Sequence, residues 1–465
     1  MTRVWGRFPR MSHRRQAPGG TKHDDPRLRQ DPIGLGFLSI CVVLLLYVLG
    51  RFAVAGPEGR LRTGPLQGTR GDTLFFSYRD GSNAFREREI GISLVIGALE
   101  GPDEYLFGYL TALAVSPSGG PVVYDQMARS VRMYDSQGEF LRKVGREGEG
   151  PGEHRLVTGI EVLPDGSVVL SDPGNARVSV FDSTGGFRAS WPIDHPVVSA
   201  DRVLYSDEMG RLVHRWHVWN PDTGTMESDA FLLFSGEGTL LDSIRPPPLE
   251  VDTLFLKGGV GGIVPFSPRL LWDWHPRGYP VVVQTSEYRV HLLRPPPDSV
   301  LQIRVQREAP RLSRSERREW EAVVEYLMRR VEPGWTWRGD KIPRVKPHVK
   351  RIMCGRDGRI WVQLHTEAEP SAAATKVDPR EMAPRISWLE PNVWDVFGPD
   401  GAHIGRFRFP LGVQLLAAHG TKVWGVVQDS LGIQRVARID LPPANPSTTS
   451  SPGPSEIAPF ALRAH

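Results

Sequence analysis

The chain has 465 residues, 40% of them hydrophobic, with 49 Gly, 41 Pro and a formal net charge of +4 from 57 basic and 53 acidic side chains. That length can bury a large core, and so much Gly and Pro implies many short elements joined by turns. Residues 1–32 hold eight Arg/Lys and three Asp/Glu, an excess of +5, which leaves the rest at −1 (4 minus 5); this excludes nucleic acid as a partner, since phosphates need clustered cations.

The basic arm 1–32 leads into an uncharged run, IGLGFLSICVVLLLYVLG, from Ile33 to Gly50. Eighteen residues in a helix cover about 27 Å, close to a hydrocarbon core of roughly 30 Å. With FAVA completing it, the segment 33–55 is predicted to be a transmembrane signal-anchor helix, so the membrane is a partner through Ile33 to Ala55. The positive-inside rule then keeps the N-terminus cytoplasmic and sends everything after Gly56 to the extracytoplasmic, periplasmic side of the cell membrane. The alternative is a signal peptide cut after Ala53-Val54-Ala55, which would release a secreted protein. The long arm, the long apolar run and Arg51 favour the uncleaved, single-pass anchor. Cys41 lies in that segment and Cys354 stands alone beyond it, so no intrachain disulfide is available outside the membrane. Residues 56–91 read as a linker and leading segment.

From Leu113 onward a repeat emerges. LAVSPSGGPVVYDQMARSVRMYDSQGEF aligns with IEVLPDGSVVLSDPGNARVSVFDSTGGF from Ile160 at one constant offset of 47, matching Asp125 with Asp172 and Val131 with Val178. Each unit reads as four short antiparallel strands with tight turns, the pattern of a propeller blade. Later units drift but can be counted: 198–244, 266–305, a fifth containing IMCGRDGRIWVQL and WDVFGPDGAHIGRFRFP, and a sixth from VQLLAAHG to about Leu441. The sixth lacks a last strand, and ISLVIG (Ile92 to Gly97) stands unclaimed before the first, so these two are predicted to pair and close the ring. The glycine-rich GREGEGPGE (Gly145 to Glu153), echoed by IGALEGPDEYLFG, is then a connector between blades, its Gly and Pro setting sharp turns.

In DPGNARVSVFD the order Asp172, Asn175, Arg177 and an alternating strand ending in Phe-Asp resembles the NHL-repeat pattern, whereas Ala128 and Ser130 take the Asn and Arg positions in the preceding unit. Those three residues are expected to be structural, tying the turn between second and third strands. Residues 92–441 as a whole resemble bacterial six-bladed β-propellers of the NHL-like kind. The resemblance implies an all-β six-bladed propeller but no single function, because such folds host binding scaffolds, lactonases and lyases alike.

Two stretches interrupt the period. Within 308–350, between blades 4 and 5, SRSERREWEAVVEYLMRR opens with a capping box (Ser313, Glu316) and sets Trp320, Val323, Val324, Leu327 and Met328 on one helical face. The loop that follows carries Trp335, Trp337, Arg338 and Lys341, expected near the channel mouth as contacts to a ligand or partner. The second, 366–391, reads as a mobile loop in blade 5, and the Pro/Ser-rich tail 442–465 as disordered.

Catalytic and cofactor motifs are absent from the sequence: there is no HExxH, GxSxG, paired-cysteine or EF-hand pattern. His214 and His217 in HRWH point to opposite faces of a strand, and the prolines after GGVGG (Gly258 to Gly262) forbid the helix a nucleotide loop requires. Glu147, Glu149 and Glu153 could collect Ca²⁺, yet read better as a solvated surface. Among the innermost strands, LTALAV, VTGIEV and VKRIMC, only Glu161 offers a carboxylate to a channel metal. The expectation is a membrane-anchored extracytoplasmic scaffold that binds a protein, peptide or glycan ligand, without catalytic residues, metal or cofactor. The alternative is a metal-dependent propeller hydrolase or lyase.

Overall fold

The computed structural model describes residues 74–81, 85–192, 204–220, 225–244, 252–294, 300–371, 384–429 and 432–442. The basic arm, the predicted span 33–55, much of the leading segment and the tail from 443 lie outside the described residues, as does 372–383 of the second excursion. Among the described residues, no helix is long and apolar enough to cross a membrane.

The described strands form six blades. Blade 1 comprises Leu110–Val115, Pro121–Asp125, Ser130–Tyr134 and Phe140–Lys143; blade 2 comprises Gly159–Val162, Val168–Asp172, Arg177–Phe181 and Phe187–Pro192. Blade 3 holds Leu204–Ser206, Leu212–Asn220, Thr225–Phe234 and Leu240–Ile244, and blade 4 holds Leu270–His275, Tyr279–Gln284, Arg289–Leu293 and Val300–Gln306. Blade 5 is built from Val349–Cys354, Ile360–Leu364, Asn392–Phe397 and His403–Phe409, and blade 6 from Val413–His419, Lys422–Gln428 and Gln434–Asp440. Val/Ile/Leu-rich strands with one tight turn each let neighbouring blades pack face to face, and the buried clusters run from blade to blade: Val122, Leu170 and Phe181 between blades 1 and 2, Val281, Ile303 and Val362 between blades 4 and 5.

The ring closes as the leftover strand predicts. Leu94–Ile96 pairs antiparallel with the last strand of blade 6, in the register Leu94↔Arg438, Val95↔Ala437 and Ile96↔Val436. Upstream of it the leading segment is more than a linker. Leu74–Arg79 adds a parallel fifth strand to the outer edge of blade 4, and Glu87–Glu89 adds one to blade 5. The segment thus runs round the rim of blades 4, 5 and 6 in turn. It is fastened by charge: Asp80 accepts from Arg406 Nη1 at 2.7 Å and faces Arg307 at 3.3 Å, while Arg406 also grips the buried Asp395 at 2.7 and 2.9 Å.

Candidate binding face

In an antiparallel blade the blade-to-blade connectors and the loops between second and third strands share one end, called here the connector end. Among the described residues, three insertions into the repeat lie there. The first is a hairpin, Thr253–Leu256 with Gly259–Ile263, between blades 3 and 4; this is where GGVGG falls. The second is the helix Arg314–Val331 between blades 4 and 5. The third is the blade 5 excursion, where Glu369–Pro370 pairs with Trp388–Leu389. In blade 3, moreover, the second and third strands pair out to Asn220↔Thr225, although the first strand reaches only His214 and the fourth only Phe231. That hairpin therefore projects beyond its own blade.

The hairpin and the helix form one cap with its own core. The Ser313 hydroxyl accepts the Glu316 N–H at 3.1 Å, as the capping box predicts, and Val324, Leu327 and Met328 turn inward against Leu254, Val264, Leu312 and Ile342. Trp335 sits at the centre, 0% exposed, donating Nε1–H to the Phe255 carbonyl at 2.7 Å. The loop behind it runs along the hairpin through Phe255 N–H to Arg338 O (3.0 Å) and Asp340 N–H to Thr253 O (3.1 Å). Gly339 is required there: its φ is +108°, and a Cβ would lie 2.1 Å from the Thr253 carbonyl oxygen.

The four residues expected to meet a partner are brought together, but only three reach the surface. Trp335 is enclosed, so its large apolar surface serves the cap and not a ligand. Trp337 is half-buried between Trp335, 5.9 Å away, and the Lys341 ammonium, 5.0 Å above its ring, and its Nε1–H donates to the Asp340 carbonyl. Arg338 is paired with Glu332 and Lys341 is exposed. Among the described residues, the contacts of all four fall within the cap.

A buried charge cluster that sequence reasoning missed seats the cap on blade 5. Lys346, wholly buried, lies 2.8 Å from Glu316 of the helix and 2.7 Å from Glu390 of the excursion, and donates to the Thr366 carbonyl at 3.1 Å. His365 Nδ1 lies 3.0 Å from Glu390, which also pairs with Lys350 at 3.1 Å. Burial alone would raise the Glu390 carboxyl, but His365, Lys350 and Lys346 outweigh it and bring it down to about 2. Burial raises Glu316, and Lys346 offsets this only in part; burial lowers His365. A lysine inside an interrupting loop carries no local signal of such burial.

The repeat-motif residues, expected to tie the turn between second and third strands, bond mainly to the connector ahead of blade 2. Asp172 accepts the N–H groups of Arg155 and Leu156 at 3.1 and 2.9 Å, Asn175 donates to Asp172 and to the Gly148 carbonyl, and Arg177 donates to the Gly150 and Glu153 carbonyls. All three thus hold the glycine-rich connector against blade 2. In blade 1 Asp125 accepts from Gly108 and Tyr109, each 47 residues earlier than its counterpart, and Arg132 supplies the guanidinium to a connector carbonyl that Ser130 cannot. The connector carboxylates Glu147, Glu149 and Glu153 are paired with Arg129, Arg155 and Arg146.

At the other end of the propeller the central channel is crossed by a side chain. Arg356, in the first turn of blade 5, reaches blade 2 on the far side of the ring, donating to the Val162 carbonyl at 2.5 Å and lying 3.5 Å from Glu161. Ser206 of blade 3 donates to the same Glu161 carboxylate at 3.0 Å. The one carboxylate on which a channel metal could be built is therefore engaged by a cation. Among the described residues, no group of three His, Cys, Asp or Glu side chains is arranged to hold a metal ion. His214 is buried against the Ser171 hydroxyl at 3.0 Å.

A family model described as a 6-bladed beta-propeller, DUF5128, matches residues 95–216. Together with the six blades, this defines the chain as a six-bladed β-propeller. Similar solved structures include a protein of Bacteroides fragilis (8% identity over 79% of this chain and 100% of that one, TM-score 0.43) and a gluconolactonase of Xanthomonas campestris (12%, 72% and 87%, 0.34). Virginiamycin B lyase of Staphylococcus aureus is similar at 8% identity over 72% of this chain and 95% of that one, with a TM-score of 0.35. None of these likenesses brings an activity to this chain, and no curated protein matches it.

Proposed function

We propose that the chain is an extracytoplasmic binding scaffold of the NHL-like kind, held at the cell membrane by residues 33–55, that takes a protein, peptide or glycan partner on its connector end. The observation that carries this reading is the clustering of the described insertions around blades 3, 4 and 5 at that one end, including a cap with a core of its own. Blade strands serve packing, whereas interruptions of a repeat that gather on one face serve binding. Lys341 is exposed and Trp337 and Arg338 are half-buried at the rim of the cap. Replacing these three together by Ala should abolish partner capture from detergent-solubilised membranes while leaving the melting temperature nearly unchanged. Capture at the parent level would move the site off this rim. For the anchor, alkaline phosphatase fused after Leu441 should be active in cells and fractionate with membranes; an inactive fusion would reverse the topology, and mature protein beginning near Gly56 would replace the anchor by a cleaved signal.

A further inference from the structure

We propose that the outward face of the cap helix is a docking groove for an acidic peptide segment with apolar side chains at its centre. This rests on the scaffold reading and names its partner. At 100° per residue, Arg314, Arg318, Ala322, Tyr326 and Arg330 share the half of the helix opposite Val324, Leu327 and Met328, the residues buried in the cap. Ala322, Glu325, Tyr326, Arg329, Arg330 and Pro384 of the blade 5 excursion line an open groove of about 420 Å³ along that face.

Charge chooses the occupant. The helix carboxylates are already engaged: Glu316 by Lys346, Glu319 by the Ser387 N–H and hydroxyl, Glu321 by Arg317 and Glu325 by Arg329. Arg314, Arg318 and Arg330 have no hydrogen bond or ion pair through their side chains among the described residues, and Arg314 and Arg318 are exposed in the first helical turns. Cations there oppose the helix dipole and work against the helix. Among the described residues these three exposed guanidinium groups have no partner; Arg330 lines the groove with Ala322, Tyr326 and Pro384, while Arg314 and Arg318 stand on the same face nearer the helix N-terminus, so the face complements carboxylates flanking an apolar side chain.

The test uses the purified full-length chain and a fluorescein-labelled peptide alternating Glu with Leu, beside the same peptide with Gln for Glu. The acidic peptide should bind about tenfold or more tightly than the neutral one, and salt should weaken it. The variant Arg314→Glu/Arg318→Glu/Arg330→Glu should lose that preference and keep the parent melting temperature or exceed it, since two of its new carboxylates suit the helix N-terminus. Equal affinity for the two peptides, or an unchanged preference in the variant, overturns the proposal. So does binding to phosphatidylglycerol vesicles without binding to the acidic peptide, which would make the groove a lipid contact. If substituting Trp337, Arg338 and Lys341 abolishes partner capture while the helix variant still captures, the scaffold reading stands and this groove falls.

Discussion

Lys346 shows how much one side chain decides. It neutralises two carboxylates at once, Glu316 and Glu390, in a place closed to water. Lys346→Met should cost about 3–5 kcal/mol in urea unfolding, because it strands buried charge, and adding Glu316→Gln and Glu390→Gln should recover part of the loss. Other buried groups set the response to acid. Burial brings His275 and His291 each down to about 4 from an ordinary 6.5, so between those values the unfolded chain binds more protons and stability rises with pH. Glu390, near 2 against an ordinary 4.5, acts the same way in the lower window. Stability should therefore hold above about pH 7, fall by roughly 1.4 kcal/mol per pH unit for each histidine between 6.5 and 4, and fall again below 4.5 as Glu390 takes up a proton. A melting temperature that stays flat from pH 7 to 4 would contradict the buried, neutral histidines.

The helix and the added strands differ in how far they could be read in advance. The helix could be read because its start is chemical and its face periodic: Ser313 caps it, and Ser313→Ala should lower stability by about 1 kcal/mol, measured by denaturant titration. The strand Leu94–Ile96 could be read because a ring short of one strand at its end calls for another at its beginning. The fifth strands on blades 4 and 5 could not. LFFSYR alternates like any strand, and nothing local says that it lies parallel to a partner more than 200 residues later. The cap hairpin could not be read from GGVGG, whose glycines carry no alternating side chains; a Cβ on Gly261 would come 2.7 Å from Leu256 Cγ and 3.2 Å from the Met328 sulfur. Trp335 and Trp337 belong to one WTW triplet. Trp335 is enclosed by a cap core whose members include Leu254 and Val264, far away in the chain, and donates to the Phe255 carbonyl 80 residues before it.

For the propeller as a whole, the pairing of Leu94–Ile96 with Gln434–Asp440 covers the outer edge of that last strand in blade 6. Deleting residues 56–98 should expose that edge and make the protein aggregate, as seen by light scattering, whereas deleting only 56–80 should keep the ring and lower the melting temperature modestly by stripping Asp80 from Arg406 and Arg307. A 56–98 deletion that stays monodisperse and melts like the parent would show that closure contributes little. The same pairing also imposes an order in time. Leu94 meets Arg438, 344 residues later (438 minus 94), and at roughly 5–20 residues per second of synthesis that partner arrives roughly 20–70 s after Leu94 itself. Throughout that interval Leu94, Val95 and Ile96 form a short apolar strand with nothing to pair with, held apart from the growing sheet by the loop-closure entropy of most of the chain. The last step of folding is thus a late, slow one, and the nascent protein must be kept from its neighbours until its final strand has emerged.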